Sequence, residues 1–292
     1  MLEENAFHKL LFSSNLYNRS LKEHNKTTLS GINLNIQYGD KGIGNQIFQG
    51  KFTFSGYNFD LRDNIPWEQN SPKEWQNEFH SFFWINHLRA TNSVAASKFT
   101  QMIINKWISE YSKWDEFSWN LLLIAKRLES WSINFNFISE AADTTFLNRF
   151  KNSFLRQSKH LLRWSNLYKN NIDRLQIGLT IFLIGVVTNK KKISTKGLKQ
   201  VEIEIDKSYE NKKLFNCSNS SQVLNVLRLL SFFNSINNQT YNFNLKNLEK
   251  LIYNSAEIIS SLKHNDDAMS IFNGSYEEKE ALSQILSNLN LK

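Results

Sequence analysis

Cysteine is nearly absent from this chain. Cys217 stands alone among 292 residues, which excludes an internal disulfide framework and any zinc cluster built from cysteines. The six histidines are scattered. No H-E-x-x-H or comparable spacing joins them, so no metal set is assigned and no cofactor is expected. His80 and His87 are seven residues apart, too far along one helix to share a metal unaided. The triplet Gly42–Gly44 lacks the rest of a G-x-G-x-x-G fingerprint, which removes the dinucleotide reading. Long apolar runs are missing as well. The most hydrophobic stretch, Ile177–Val187, falls short of the about 20 residues a bilayer requires and reads as a helix buried on all sides. No sequence period is visible, so a TPR- or HEAT-type array is not supported. The N-terminus carries early acidic residues and no apolar core, so it does not read as a secretory signal.

What is present begins with size and charge. A chain this long can bury roughly three-quarters of its unfolded surface and needs no covalent staples. The formal charge of +8 suits an anionic partner, whether polysaccharide, nucleic acid or lipid surface. Lys190, Lys191 and Lys192 contribute a local run that reads as a solvated loop. The basic residues otherwise look dispersed along the chain, whereas a nucleic-acid binder concentrates them on one face. No nucleic-acid partner is therefore expected.

The chain is organised around Pro66–Thr91, which holds both prolines, Pro66 and Pro72, with Trp67, Trp75, Trp84, His80, His87 and Arg89. Upstream, residues 27–50 read as loop and short strand. Lys51–Asp60 reads as a β-hairpin, with Phe52/Phe54 and Tyr57/Phe59 alternating around Ser55-Gly56. Downstream of Pro72, helical periodicity dominates. Trp75, Phe79, Phe82, Phe83 and Leu88 form one apolar face, with His80, Trp84 and His87 on a neighbouring stripe. Further helices are predicted after Asn92-Ser93, over 115–137, after Asp143, over 171–187, over 198–209, from Ser220 or Ser221, from Asn244, and over 277–289. Short connections between helices of this length imply antiparallel hairpins. The expected division is an N-terminal extension with the hairpin, residues 1–65, and a helical domain, residues 66–292.

Two runs carry a family resemblance. Gly39–Asp60 (GDKGIGNQIFQGKFTFSGYNFD), Pro66-Trp67 and Glu78–Ala90 (EFHSFFWINHLRA) resemble the opening of the heparinase II/III-like polysaccharide lyases. Leu262–Gly274 (LKHNDDAMSIFNG) is similar to a later segment of that family, in matching order. The resemblance implies an all-α fold, an incomplete (α/α) toroid of antiparallel helical hairpins with a short N-terminal β-hairpin. It implies an acidic, uronate-containing polysaccharide as partner and β-elimination as chemistry. That reaction needs a group to neutralise a carboxylate, a base, and an acid for the leaving oxygen.

The same resemblance nominates residues. His264 stands where family members place a histidine, with Asp266 and Asp267 beside it. Asn171 precedes a buried helix, where some relatives carry a catalytic Asn. Asn216 falls where the family has a His, and Asn219 where it has an Arg. An amide can neutralise a carboxylate but cannot serve as acid or base. His80, Trp84, His87 and Arg89 are expected to line a groove, with Trp84 stacking on a sugar face, and Arg127 with Trp131 forms a similar pair. Relatives continue into a β-rich domain that contributes to the cleft, so a separate β-rich domain or chain is a possible partner. The family generally acts at the cell envelope. A non-catalytic carbohydrate-binding or envelope-polysaccharide scaffold is the alternative function.

Overall fold

The computed structural model describes residues 6–22, 27–32, 39–61, 71–210 and 214–261. Helices α1 (Ala6–Ser13), α2 (Asn15–Ser20) and α3 (Lys41–Phe48) precede a hairpin of β1 (Lys51–Phe54) and β2 (Tyr57–Asp60). Then come α4 (Lys73–Ser81), α5 (Ile85–Ala90), α6 (Val94–Glu110), α7 (Leu121–Ile133), α8 (Phe135–Ser139) and α9 (Thr144–Trp164). A 3-10 turn at Ser165–Leu167 leads to α10 (Asn171–Val187), α11 (Lys191–Glu210), α12 (Ser220–Thr240) and α13 (Leu248–Ser261). Among the described residues no helix is long and apolar enough to cross a membrane.

Local chemistry sets the element boundaries. The hairpin pairs Phe52 with Phe59 and Phe54 with Tyr57. Ser55 and Gly56 at its tip both have positive φ (50° and 79°), as a two-residue turn between twisted strands demands. Many of the helices open on a side chain that accepts an otherwise orphaned N–H. Asp40 caps α3, Ser93 caps α6 and Asp143 caps α9. Asn120, Asn170 and Asn219 cap α7, α10 and α12.

The helices pack in two rows. α7 lies against α4 on one side and α10 on the other, and α10 continues onto α12. A second row, α6, α9 and α11, packs behind them. The inner helices run parallel. His80, Phe82 and Asn86 meet Arg127, Ser130 and Asn134 in rising order. Tyr168 meets Asn120, and Gln176 meets Glu129. Phe182 of α10 meets Phe233 of α12 edge to face at 5.1 Å. This alternation of inner and outer helices is the (α/α) toroid arrangement, left open, as the resemblance implied. α10 and α11 pack most closely, because Gly178 and Gly185 of one and Gly197 of the other leave no Cβ between them. A Cβ at Gly197 would sit 2.2 Å from the Phe182 nitrogen. The described residues before position 62 share the core of the helical body: Phe12 meets His160 edge to face at 4.9 Å, and Phe52 meets Phe79 and Trp84 in the same way at 5.2 Å each.

Several predicted boundaries need correction. Residues 41–48, read as loop or strand, form α3, since Asp40 caps it and neither glycine interrupts it. The helix expected over 115–137 begins only at Leu121, and Ile133 ends it before α8. Lys191 and Lys192 open α11 rather than lying in a loop. The helix after Pro72 breaks at Phe82, whose backbone is left-handed (φ 59°). The stripe of His80, Trp84 and His87 therefore does not exist as one helical face. The helix expected over 277–289 lies outside the described residues.

Candidate functional site

The parallel inner helices bring their N-termini to one end of the molecule. Asn171 is the first residue of α10, half-buried there, while the cap is Asn170, whose Oδ1 accepts from Ile172 and Asp173. Asn216 is exposed in the turn before α12. Phe215 and Asn216 both have positive φ (48° and 55°), a conformation Asn tolerates and Phe does not. Burial of the Phe215 ring and donation of its N–H to Ser208 Oγ at 3.1 Å hold this turn. Asn171 and Asn216 therefore belong to the same end, each at the start of an inner helix.

Asp173 and Lys126 join them, and the sequence reading missed both. Asp173, in the first turn of α10, has its carboxyl pKa raised by burial, with Lys126 of α7 opposing the shift. The signal was available, since Asp173 is two residues past Asn171 and an acid in a first turn complements the helix dipole. Beneath them lies a buried polar cluster. Glu129, fully buried, accepts from Arg228 at 2.5 Å through Oε1 and from Gln176 at 2.5 Å through Oε2. Arg228 also lies 4.8 Å over the Phe83 ring. One step outward, Arg174 pairs with the buried Glu204 at 2.5 Å.

The aromatic and basic residues expected to face a groove lie mostly in the core. Trp84 is 2% exposed. Its Nε1 donates to the Phe79 carbonyl at 3.0 Å, and Phe52, Phe79 and Phe82 surround its ring. It has no face to offer a sugar. His80 is buried against Tyr111 and Phe117, and its Nδ1 accepts from Trp107 Nε1 at 3.2 Å. Trp131 is buried against Phe82, Trp107 and Phe150. Arg127 is buried over Trp107, 4.1 Å from its ring centroid, rather than over Trp131. It donates to Gln157 Oε1, the His80 carbonyl and the Ser118 carbonyl. Burial lowers its pKa well below the usual guanidinium range, against the opposing field of Asp115. These four are corrected from groove residues to structural ones, because the break at Phe82 turns His80 and Trp84 inward and because Arg127 and Trp131 lie among the buried residues of α7.

His87 and Arg89 are half-buried on α5. His87 Nδ1 accepts from the Asp40 N–H at 2.9 Å, which ties α5 to the start of α3. Burial lowers its pKa, with Asp40 opposing. Arg89 donates to the Ile133 carbonyl at 3.4 Å. His264, with Asp266 and Asp267, lies outside the described residues. Among the described residues no group of three His, Cys, Asp or Glu converges as a metal site would require.

No protein-family model and no curated protein sequence matches the chain. Among solved structures, that of a heparan sulfate lyase HepC mutant from Pedobacter heparinus matches with a TM-score of 0.54 at 14% identity. The match covers 93% of this chain and 49% of that one, so the chain spans about half the length of the lyase it resembles. The likeness is one of fold: this chain has the architecture of an incomplete (α/α) toroid, similar to the helical part of that lyase.

Proposed function

We propose that the chain binds an acidic, uronate-containing polysaccharide at the N-terminal end of α7, α10 and α12. In this reading it supports β-elimination when a β-rich domain or chain completes the cleft. The observation that carries the reading is that Asn171 and Asp173 in the first turn of α10 and Asn216 before α12 stand where parallel inner helices begin, with Lys126 of α7 in electrostatic reach of Asp173. Helix N-termini and amide donors favour a carboxylate. An amide that hydrogen-bonds a uronate carboxylate withdraws charge from it and makes the adjacent C–H more acidic. Asp173, its proton affinity raised by burial, is a candidate to hold or take that proton. His264 is assigned the imidazole role by resemblance.

The second reading is a non-catalytic scaffold on the same fold. Asn216 favours it, because an amide stands where the resembled pattern has an imidazole. The experiment incubates the chain with a panel of acidic polysaccharides. It follows the ultraviolet absorbance of the unsaturated uronate that elimination creates, and in parallel the binding by tryptophan fluorescence. Rising absorbance that His264→Ala abolishes establishes the lyase. Binding with flat absorbance establishes the scaffold reading for this chain. Absence of both signals on every polymer overturns the proposal.

A further inference from the structure

α9 carries a second feature that the inner-helix end does not use. Its sequence, TTFLNRFKNSFLRQSKHLLRW, holds five Lys or Arg and no Asp or Glu. Arg149, Arg156 and Arg163 recur every seven residues, and Lys159 lies beside them. At 3.6 residues per turn these four fan over roughly 80° of the helix and extend about 21 Å along it. The opposite face is apolar and buried, with Phe146, Phe150, Phe154 and Leu161. The charges that look dispersed in the sequence are thus drawn into one stripe by helical geometry.

Among the described residues the stripe has no paired carboxylate. Arg149 donates to Ser109 Oγ at 2.8 Å, and Arg163 to Ser20 Oγ at 2.7 Å and the Ser20 carbonyl at 3.1 Å. Lys159 donates to the Lys22 carbonyl at 3.1 Å, and Arg156 reaches Asn18 Oδ1 only at 3.5 Å. Each of these acceptors is neutral. Among the described residues no carboxylate forms an ion pair with any of the four. Arg156 Nε is buried without an acceptor, and burial alone lowers the pKa of that guanidinium. Arg19 and Lys22, both exposed, extend the positive surface at the Arg163 end. Glu110, next to Ser109, adds one negative charge at the Arg149 end, and Lys106 and Lys113 flank it. A helix face with this much unopposed charge is stabilised by an anionic ligand.

We infer that the α9 stripe is an exosite for an extended acidic polysaccharide, separate from the inner-helix end. The inference rests on the proposed function for the choice of polymer. Its geometry matches a linear polyanion, because the donors form a line rather than a pocket. A single-stranded nucleic acid fits less well, since such sites interleave aromatic platforms with the charges. The rings nearest this stripe, Tyr17 and Trp164, are instead packed on Phe12.

The test measures binding of size-selected heparin, a heparin tetrasaccharide and an oligothymidylate to the full chain at several salt concentrations. Three proteins are compared: wild type, Arg149→Gln/Arg156→Gln/Lys159→Gln, and Asn171→Ala. The expected result is at least a tenfold loss of long-chain heparin affinity in the triple variant, with a shallower salt dependence. Tetrasaccharide affinity is expected to persist there and to fall in Asn171→Ala. Should the triple variant fold poorly by circular dichroism, Arg149→Gln alone, which leaves the contacts to α2 intact, is expected to lower the affinity several-fold. Unchanged long-chain affinity in a folded variant overturns the exosite. Oligothymidylate binding as tight as heparin, and equally lost in the triple variant, overturns the assignment to polysaccharide. Long-chain binding lost in the triple variant, with no tetrasaccharide binding by wild type, upholds the exosite and refutes the inner-helix site.

Discussion

Arg228 of α12 and Glu129 of α7 meet at 2.5 Å across the inner row, with Gln176 of α10 on the other carboxylate oxygen. Three parallel helices are therefore tied through one fully buried acid. Removing one partner of such a pair leaves an uncompensated charge, which costs about 3–5 kcal/mol. Glu129→Ala is expected to lose stability in that range in urea unfolding. Glu129→Met/Arg228→Met is expected to be less destabilised than Glu129→Met alone, and the cycle completed by Arg228→Met measures the coupling.

Arg127 is expected to be as sensitive. Its three hydrogen bonds and the Trp107 ring satisfy a guanidinium that no carboxylate among the described residues touches. Lysine keeps the charge but not the planar fork. Arg127→Lys should lower stability by about 2–4 kcal/mol, in line with loss of a buried network, and change the tryptophan emission. Equal stability of Arg127→Lys and wild type would contradict this account.

Glycines on the α10–α11 interface should separate by what their Cβ meets. At Gly178 it meets side-chain atoms, Gln200 Cγ at 3.1 Å and Val201 Cγ2 at 3.2 Å, but at Gly197 it meets backbone at 2.2 Å. Gly178→Ala is expected to be near neutral, because better helix propensity, worth up to about 1 kcal/mol, offsets the crowding. Gly197→Ala is expected to destabilise by about 1–3 kcal/mol as the helices are forced apart. Paired thermal melts decide it.

Acid should unfold the chain partly through His160. Tyr17 Oη and His160 Nδ1 share a hydrogen bond at 2.5 Å, and Tyr17 Oη also accepts from Trp164 Nε1. Burial, aided by Arg163, pushes the His160 pKa down to about 3. The unfolded chain, with an ordinary value near 6.5, therefore takes up the proton first. Stability is full above pH 6.5 and falls by up to about 1.4 kcal/mol per pH unit as pH drops from 6.5 towards 3. His160→Gln, which keeps an acceptor for Tyr17, should flatten that slope in denaturant titrations at a series of pH values.

Most of the long helices were legible in the sequence, as were the N-caps Ser93 and Asp143, because a capping side chain before an apolar periodicity is a local signal, whereas the caps Asp40, Asn120, Asn170 and Asn219 were not read. The hairpin was legible from Ser55-Gly56 for the same reason. What was not legible depended on tertiary override. The left-handed Phe82 has no turn residue to announce it, yet it decides whether His80 and Trp84 face a groove or the core. Asn171 and Asn216 could be nominated by resemblance, but their presence at one end follows only from the parallel packing of α10 and α12. The partnership of Glu129 with Arg228, 99 residues apart, has no local signature.

The measurement that bears most directly on the proposed function is calorimetric titration of an unsaturated-end uronate tetrasaccharide into wild type and Asn171→Ala. We predict binding by wild type and at least a tenfold weaker interaction in Asn171→Ala, with the thermal melt of the variant preserved because Asn170 is the cap. Equal affinity in the two proteins, or no heat in either, would contradict a carboxylate site at the inner-helix end.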